Sequence, residues 1–80
     1  MGFNVAQNID QKVLDRIARK IEDLEVDRKA NQKAGYDKDA ERIQTQINAI
    51  CYVLYELGYT AQYKDDTHLD IKSIMWAMNH

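Results

Sequence analysis

A single apolar seam constrains this chain more than any other feature. Five residues recur at spacings of four, three, four and three, which places them on one side of an α-helix: Ile43, Ile47, Ile50, Leu54 and Leu57. Asp37 precedes the seam and can accept free backbone N–H groups, and Gly58 follows it and can adopt the left-handed conformation that ends a helix. The sequence therefore predicts a helix over about residues 38–57.

A second apolar side predicts a longer helix before the seam. Asn8 and Gln11 fit a capping box and Gly35 marks the other end, which gives a helix over about residues 9–34. Its apolar positions are Ile9, Val13, Leu14, Ile17, Ile21 and Leu24. The connection around Gly35 is so short that the two helices must return antiparallel as an αα-hairpin. Residues whose numbers sum to about 72 should then lie at the same height, with Arg16 opposite Glu56.

The segment after the second helix allows two interpretations. Apolar and polar residues alternate there as in a short strand, with the apolar positions at Tyr59, Ala61 and Tyr63. One interpretation is a β-hairpin that turns at 64–66 and returns over 68–71. The other, which the sequence favours, is an extended segment over 59–66 that leads into a third helix over about 68–78. Thr67 and Asp70 would form its capping box, and its apolar side would hold Ile71, Ile74, Met75 and Met78.

Composition limits the class of protein. The 80 residues are 45% hydrophobic and 30% charged and include no proline, which is typical of a helical globular chain. A net charge of −2 gives no overall positive field for nucleic acid or an anionic membrane. The apolar stretches are far shorter than the roughly 20 residues that span a bilayer, and the single cysteine, Cys51, suits a reducing compartment. We expect one all-α domain over residues 1–80, cytoplasmic and dimerised as a helical bundle, because so small a core leaves little stability to spare.

The sequence contains no spacing that is typical of catalysis. Cys51 lies within a predicted helix with no histidine nearby in the chain, and burial there would raise the pKa of its thiol. The only cluster that resembles a metal site is His68 with Asp65, Asp66 and Asp70. Its spacing fits neither a zinc site nor an EF-hand, and capping and turn formation explain these residues as well. We expect no enzyme activity, no metal and no cofactor.

Aromatic residues are the first candidates for partner binding. Cys51, Tyr52 and Tyr55 form a second stripe beside the seam. The C-terminal helix could cover this stripe, as the sequence favours, or the stripe could be a binding surface. Trp76 would lie opposite the apolar side of the third helix, where a second copy or another protein would cover it, or it would lie flat against the 59–63 segment. Further unpartnered apolar residues stand near the N-terminus: Met1, Phe3 and Val5. The candidate anchors are Trp76, Tyr52, Tyr55 and Tyr63.

The hairpin tip is the second candidate surface. It carries Arg28, Tyr36, Arg42 and Ile43, a mixture that could hold phosphates and stack a base, although interleaved carboxylates nearly cancel the positive charge. The sequence therefore predicts a small non-enzymatic protein that binds a protein partner stoichiometrically and regulates or inhibits it. The alternative is an oligomer that binds or sequesters a nucleotide or nucleic acid through the tip. In size and charge the chain is analogous to phage and mobile-element accessory inhibitors, an analogy that names no target.

Overall fold

The two long helices predicted from the sequence are present and form a helical hairpin. The structure, a computed structural model, describes residues 8–79, except for the side chain of Asn79. These residues form, in order, α1 (Gln11–Lys33), α2 (Asp37–Glu56), β1 (Tyr59–Tyr63), β2 (Leu69–Ser73) and α3 (Ile74–Asn79). The expectation of an all-α fold holds only in part, because a two-stranded antiparallel sheet accompanies the helices.

The helix ends differ in detail from the sequence prediction. Asp10, not Asn8, caps α1, and its carboxylate accepts a hydrogen bond of 2.9 Å from the backbone N–H of Lys12. At the other end Gly35 has a φ of 87°, and the N–H of Tyr36 donates to the carbonyl of Asn31 at 2.8 Å, which closes a Schellman motif. Asp37 is the first residue of α2 and not its cap, in a first turn where the helix dipole favours negative charge.

The favoured third helix over residues 68–78 is wrong, and the β-hairpin alternative is correct. β1 and β2 pair antiparallel, with Ala61 opposite Ile71, and only residues 74–79 are helical. The chain turns before β2 because the carboxylate of Asp65 accepts hydrogen bonds from the N–H groups of Thr67 and His68, at 2.8 and 2.9 Å. Thr67 is therefore part of a turn and caps no helix within residues 8–79.

The sheet covers one side of the helical hairpin. Three side chains of the β-hairpin are buried against the helices: Tyr59, Leu69 and Ile71. They complete a core whose helical members are Leu14, Ala18, Ile21, Leu24, Ile47 and Leu54. β2 packs beside α1 and β1 beside α2, whereas α3 packs on the strands. The Cys51 side of α2 is thus covered by strands and not, as the sequence favoured, by a C-terminal helix.

Two side chains of α1 fix the position of β2. The N–H of Leu69 donates to the carboxylate of Glu22 at 2.7 Å, and the guanidinium of Arg19 donates to the carbonyl of Leu69 at 2.9 Å. Arg19 and Glu22 also pair with each other at 2.7 Å. The hydrogen bond from Leu69 lowers the pKa of Glu22 below its ordinary value. At Leu69, Glu22 and Arg19 therefore make the two main-chain hydrogen bonds that a neighbouring strand would otherwise make.

The structure bears on two of the pairs that the register predicts between the helices. Ile17 and Leu54, whose numbers sum to 71, line one groove between α1 and α2. Arg16 and Glu56 form no ion pair within the part of the chain that the structure describes. The carboxylate of Glu56 instead acts on Tyr52, four residues before it in α2, and raises the pKa of that tyrosine.

Candidate partner-binding site

The side of the helical hairpin that faces away from the sheet carries an apolar groove of about 380 Å³. We call it the open groove. Its lining is Ile17, Lys20, Ala49, Ile50, Val53, Leu54 and Leu57. Val53 is 55% exposed although it stands in the middle of this apolar surface. Val53 and Ala49 were not predicted from the sequence, although Val53 stands three residues after Ile50 and four before Leu57, a spacing that extends the apolar side of α2 beyond the seam.

A second uncovered surface lies on the other flank of α2. Tyr52 and Tyr55, which we call the tyrosine flank, are 63% and 58% exposed. Cys51 is half-buried and packs against the core, so the stripe predicted from the sequence is divided. Around α2, Tyr55 lies about 40° from Cys51 and Tyr52 about 100° from it, so Tyr55 borders the side that β1 packs against and Tyr52 lies further toward solvent. The strands thus cover the cysteine and leave the tyrosines in solvent.

β1 presents an edge beside this flank. Lys64 donates to the carbonyl of His68, and Ile74 donates to the carbonyl of Gly58, so the even-numbered residues of β1 bond across the ladder. In an antiparallel pair the alternate residues then direct their N–H and C=O groups away from the partner strand. For Ala61 these outward groups have no hydrogen-bond partner among residues 8–79. β2 differs, because Glu22 and Arg19 engage Leu69.

Tyr63 and Arg28, which the sequence placed on different surfaces, lie together. Both line a shallow hollow of about 330 Å³ with Glu25, Lys29, Asp65 and Asp66. Burial, followed by the charge of Glu25, raises the pKa of Tyr63. The side chain of Tyr63 is nevertheless exposed, so it can contact a partner at the C-terminal end of β1.

Trp76 lies at the opposite end of the sheet from the tip of the helical hairpin. Its backbone N–H donates to Ser73 Oγ at 3.1 Å, and Lys72 Nζ is 5.3 Å from the centre of its ring, a cation–π contact. The indole is exposed on the short helix α3. The structure therefore does not join it to Arg28, Tyr36 and Arg42 in one site. Met1, Phe3 and Val5 lie outside the described residues.

The hairpin tip carries paired arginines. Arg28 contacts Glu25 at 2.8 Å and Gln32 at 3.2 Å, and Arg42 contacts Asp39 at 3.2 Å. Tyr36 is 61% exposed, whereas Ile43 is half-buried and packs against the core. A hollow of about 400 Å³ beside the tip is lined by Arg28, Gln32, Asp37, Ala40, Glu41 and Gln44. Two carboxylates thus neutralise the two arginines that a phosphate would need.

Structural roles account for His68 and Asp65 of the turn and for Cys51 of α2. His68 Nδ1 lies 3.0 Å from the carboxylate of Asp65. The N–H of Thr67 and the His68 side chain hold the pKa of Asp65 well below its usual range. Burial raises the pKa of the Cys51 thiol, which makes the thiol a poor nucleophile at neutral pH. Residues 8–79 contain no group of three or more His, Cys, Asp or Glu side chains that could hold a metal ion.

Comparisons with protein-family models, with curated proteins and with solved structures find no match. None of the described helices is long and apolar enough to cross a bilayer. The described residues leave three surfaces that a partner could contact: the open groove, the tyrosine flank with the β1 edge, and the hairpin tip.

Proposed function

We propose that this protein acts without catalysis, by binding an extended segment of another protein along the β1 edge and the tyrosine flank, and that it regulates or inhibits that partner. The observation that carries the proposal is the exposure of Tyr52 and Tyr55, at 63% and 58%, on the helix that packs beside β1, where the outward N–H and C=O of Ala61 bond to none of residues 8–79. The segment would add as a third strand, and the tyrosines would contact its side chains.

The tyrosines suit recognition better than stability. A tyrosine offers a large contact area and fixes only two torsion angles when it binds, so aromatic residues dominate the binding energy of many interfaces. Neither Tyr52 nor Tyr55 belongs to the buried core. Their side chains can therefore be buried by a partner without any change in the fold.

The edge of β1 would fix how the bound segment is oriented on the protein. A peptide that pairs with an exposed edge gains main-chain hydrogen bonds, and alternate side chains give specificity. Ala61 offers one outward N–H and one outward C=O, and Tyr63 follows two residues later on the same strand. Tyr63 would thus act as a third anchor, while Trp76 and the tip residues Arg28, Tyr36, Arg42 and Ile43 are kept as secondary candidates.

A peptide selection tests the proposal. A displayed library of random peptides is selected on the whole chain, and each peptide is measured by fluorescence anisotropy. Tyr55→Ala should weaken binding about tenfold, as truncation at an interface anchor does. The matched control is Tyr36→Ala, since Tyr36 is 61% exposed at the far tip and should be neutral.

A second variant tests the strand edge. Ala61→Pro removes an outward N–H that does not serve the ladder, so the sheet should survive while strand addition is blocked. Peptides that bind Ala61→Pro and Tyr55→Ala as well as the parent chain would contradict the proposal. An oligonucleotide probe that binds through Tyr36 and weakens steeply as salt rises would replace it with the nucleic-acid alternative.

A further inference from the structure

Four charged residues form a line along α1. Their spacings of four, three and four place them on one stripe of the helix: Arg16, Lys20, Asp23 and Asp27. All four are exposed, and none forms an ion pair within residues 8–79. The order along the helix is therefore two positive charges followed by two negative charges.

This line borders the open groove. Lys20 lines the groove beside Ile17, whereas Arg19 and Glu22 face β2 on the other side of α1. The charged line and the exposed apolar residues of α2 thus belong to one continuous surface, which the sheet does not cover.

The order of the charges does not serve the helix itself. A helix dipole favours negative side chains near the N-terminus and positive ones near the C-terminus, which is the reverse of the order along α1. The same order is complementary to itself when two copies of α1 lie antiparallel. Arg16 then meets Asp27 of the second copy, and Lys20 meets Asp23.

We propose that a second copy of this chain occupies the open groove, with α1 antiparallel to its counterpart across a twofold axis. The apolar side of α2 fits this arrangement. Ile43 stands seven residues before Ile50 and Leu57 seven residues after it, so a twofold axis at Ile50 exchanges their positions. An axis near Ile50 brings Ile43 of one copy against Leu57 of the other. The product is a four-helix bundle with both sheets on the outside.

The other face-to-face arrangement places α1 over α2 of the second copy. The charged line would then face Gln46, Ala49 and Val53, which offer no opposite charge. Charge complementarity selects the arrangement in which α1 meets α1, because like or unpaired charges at an interface are costly. The proposal does not rest on the proposed function, since the tyrosine flank stays exposed in the dimer.

Sedimentation equilibrium tests the occupant of the groove. The parent chain should be a dimer, and Val53→Glu should convert it to a monomer with unchanged helical circular dichroism. Val26→Glu is the matched control, because Val26 is also an exposed valine (66%, against 55% for Val53) and lies on α1 near the 64–67 turn. A parent chain that stays monomeric at about 1 mM, or a dimer that Val53→Glu does not weaken, would overturn the proposal.

A charge swap tests the antiparallel arrangement. Lys20→Glu should raise the dimer dissociation constant about tenfold, because it faces Asp23 of the second copy with a like charge. Adding Asp23→Lys to the same chain should restore dimerisation, since each copy then carries both exchanged charges. A double variant that dimerises no better than Lys20→Glu alone would rule out the α1 to α1 pairing.

Discussion

The two sides of the helical hairpin differ in how their apolar residues are covered. On the side toward the sheet, Leu69 and Ile71 are buried against α1 and α2, and Cys51 lies beneath the strands. On the other side, Ile17, Ile50 and Leu57 are only half-buried and Val53 is exposed. The same two helices are thus packed on one side and unfinished on the other.

This difference separates stability from association. The covered side is closed by a segment of the same chain, so its contacts form with folding itself. The open side gains nothing from the rest of the described chain, and apolar surface of that kind marks an interaction site. Substitutions on the covered side should therefore unfold the protein, and those on the open side should change its assembly.

Two leucines give the largest contrast. Leu69→Ala should lower the free energy of unfolding by about 2–5 kcal/mol, because a fully buried leucine leaves a cavity. Leu57→Ala should cost about 1 kcal/mol, since Leu57 is only partly removed from water. Urea denaturation followed by circular dichroism measures both, and equal losses would contradict the distinction between the two sides.

The carboxylate that holds β2 gives the next effect. Glu22→Ala should cost about 1.5–3 kcal/mol, because the N–H of Leu69 and the guanidinium of Arg19 both lose a charged partner. Measured at a protein concentration at which the chain is monomeric, Asp23→Ala, one residue along on the open side, should change the unfolding free energy by less than about 0.5 kcal/mol. A loss at Asp23 as large as that at Glu22 would show that the sheet is not held as described.

The same carboxylate predicts a dependence on pH. The folded-state pKa of Glu22 lies below its ordinary value of 4.5, so its contribution to stability is fully present above pH 4.5 and is lost as the pH falls through the folded-state pKa. Glu22→Gln should therefore flatten the loss of stability in acid. Parallel acid profiles for the parent and variant chains would contradict the hydrogen bond as the source.

Thiol labelling compares the two sides without unfolding the protein. Cys51 should react with an aromatic disulfide reagent at pH 8 at least about tenfold more slowly than a cysteine placed at position 49 by Ala49→Cys in a Cys51→Ser background. The reason is that the strands cover Cys51 and raise the pKa of its thiol, whereas Ala49 is exposed. The measurement belongs at a protein concentration at which the chain is monomeric.

Val53 provides the smallest effect. In the monomer, Val53→Ala should change the free energy of unfolding by less than about 0.5 kcal/mol, because the higher helix propensity of alanine offsets the lost apolar contact. Denaturation at a series of protein concentrations separates this value from any contribution of assembly. A large loss at the lowest concentration would place Val53 in the core.

The sequence predicted the helical hairpin because its signals are local. The seam, the glycines and the short connection each act within a few residues, and the structure has both long helices. The prediction failed after Gly58 because the apolar spacing of residues 71–78 fits one continuous helix as well as the end of a strand followed by a short helix. Glu22, whose carboxylate binds the N–H of Leu69, lies 47 residues away along the chain, and no local pattern reveals that contact.

The candidate surfaces show the same limit. Tyr52 and Tyr55 could be named from the sequence, but whether they are covered depended on which element follows α2. The pairing of Arg28 with Glu25 is local and still escaped prediction, because an exposed ion pair is one of several that a charged helix could form. The open groove depends on the absence of a cover within the described chain, which only the complete arrangement of its elements reveals.

The engagement of Leu69 by Glu22 and Arg19 has a consequence for aggregation. A sheet with two free edges can add strands in both directions and grow into a fibre. Here a strand that added beside β2 would have to displace two charge-assisted hydrogen bonds, whereas β1 offers no such barrier at Ala61. Growth is therefore directed to the β1 edge, so a cover over that one edge is enough to prevent the sheet from extending.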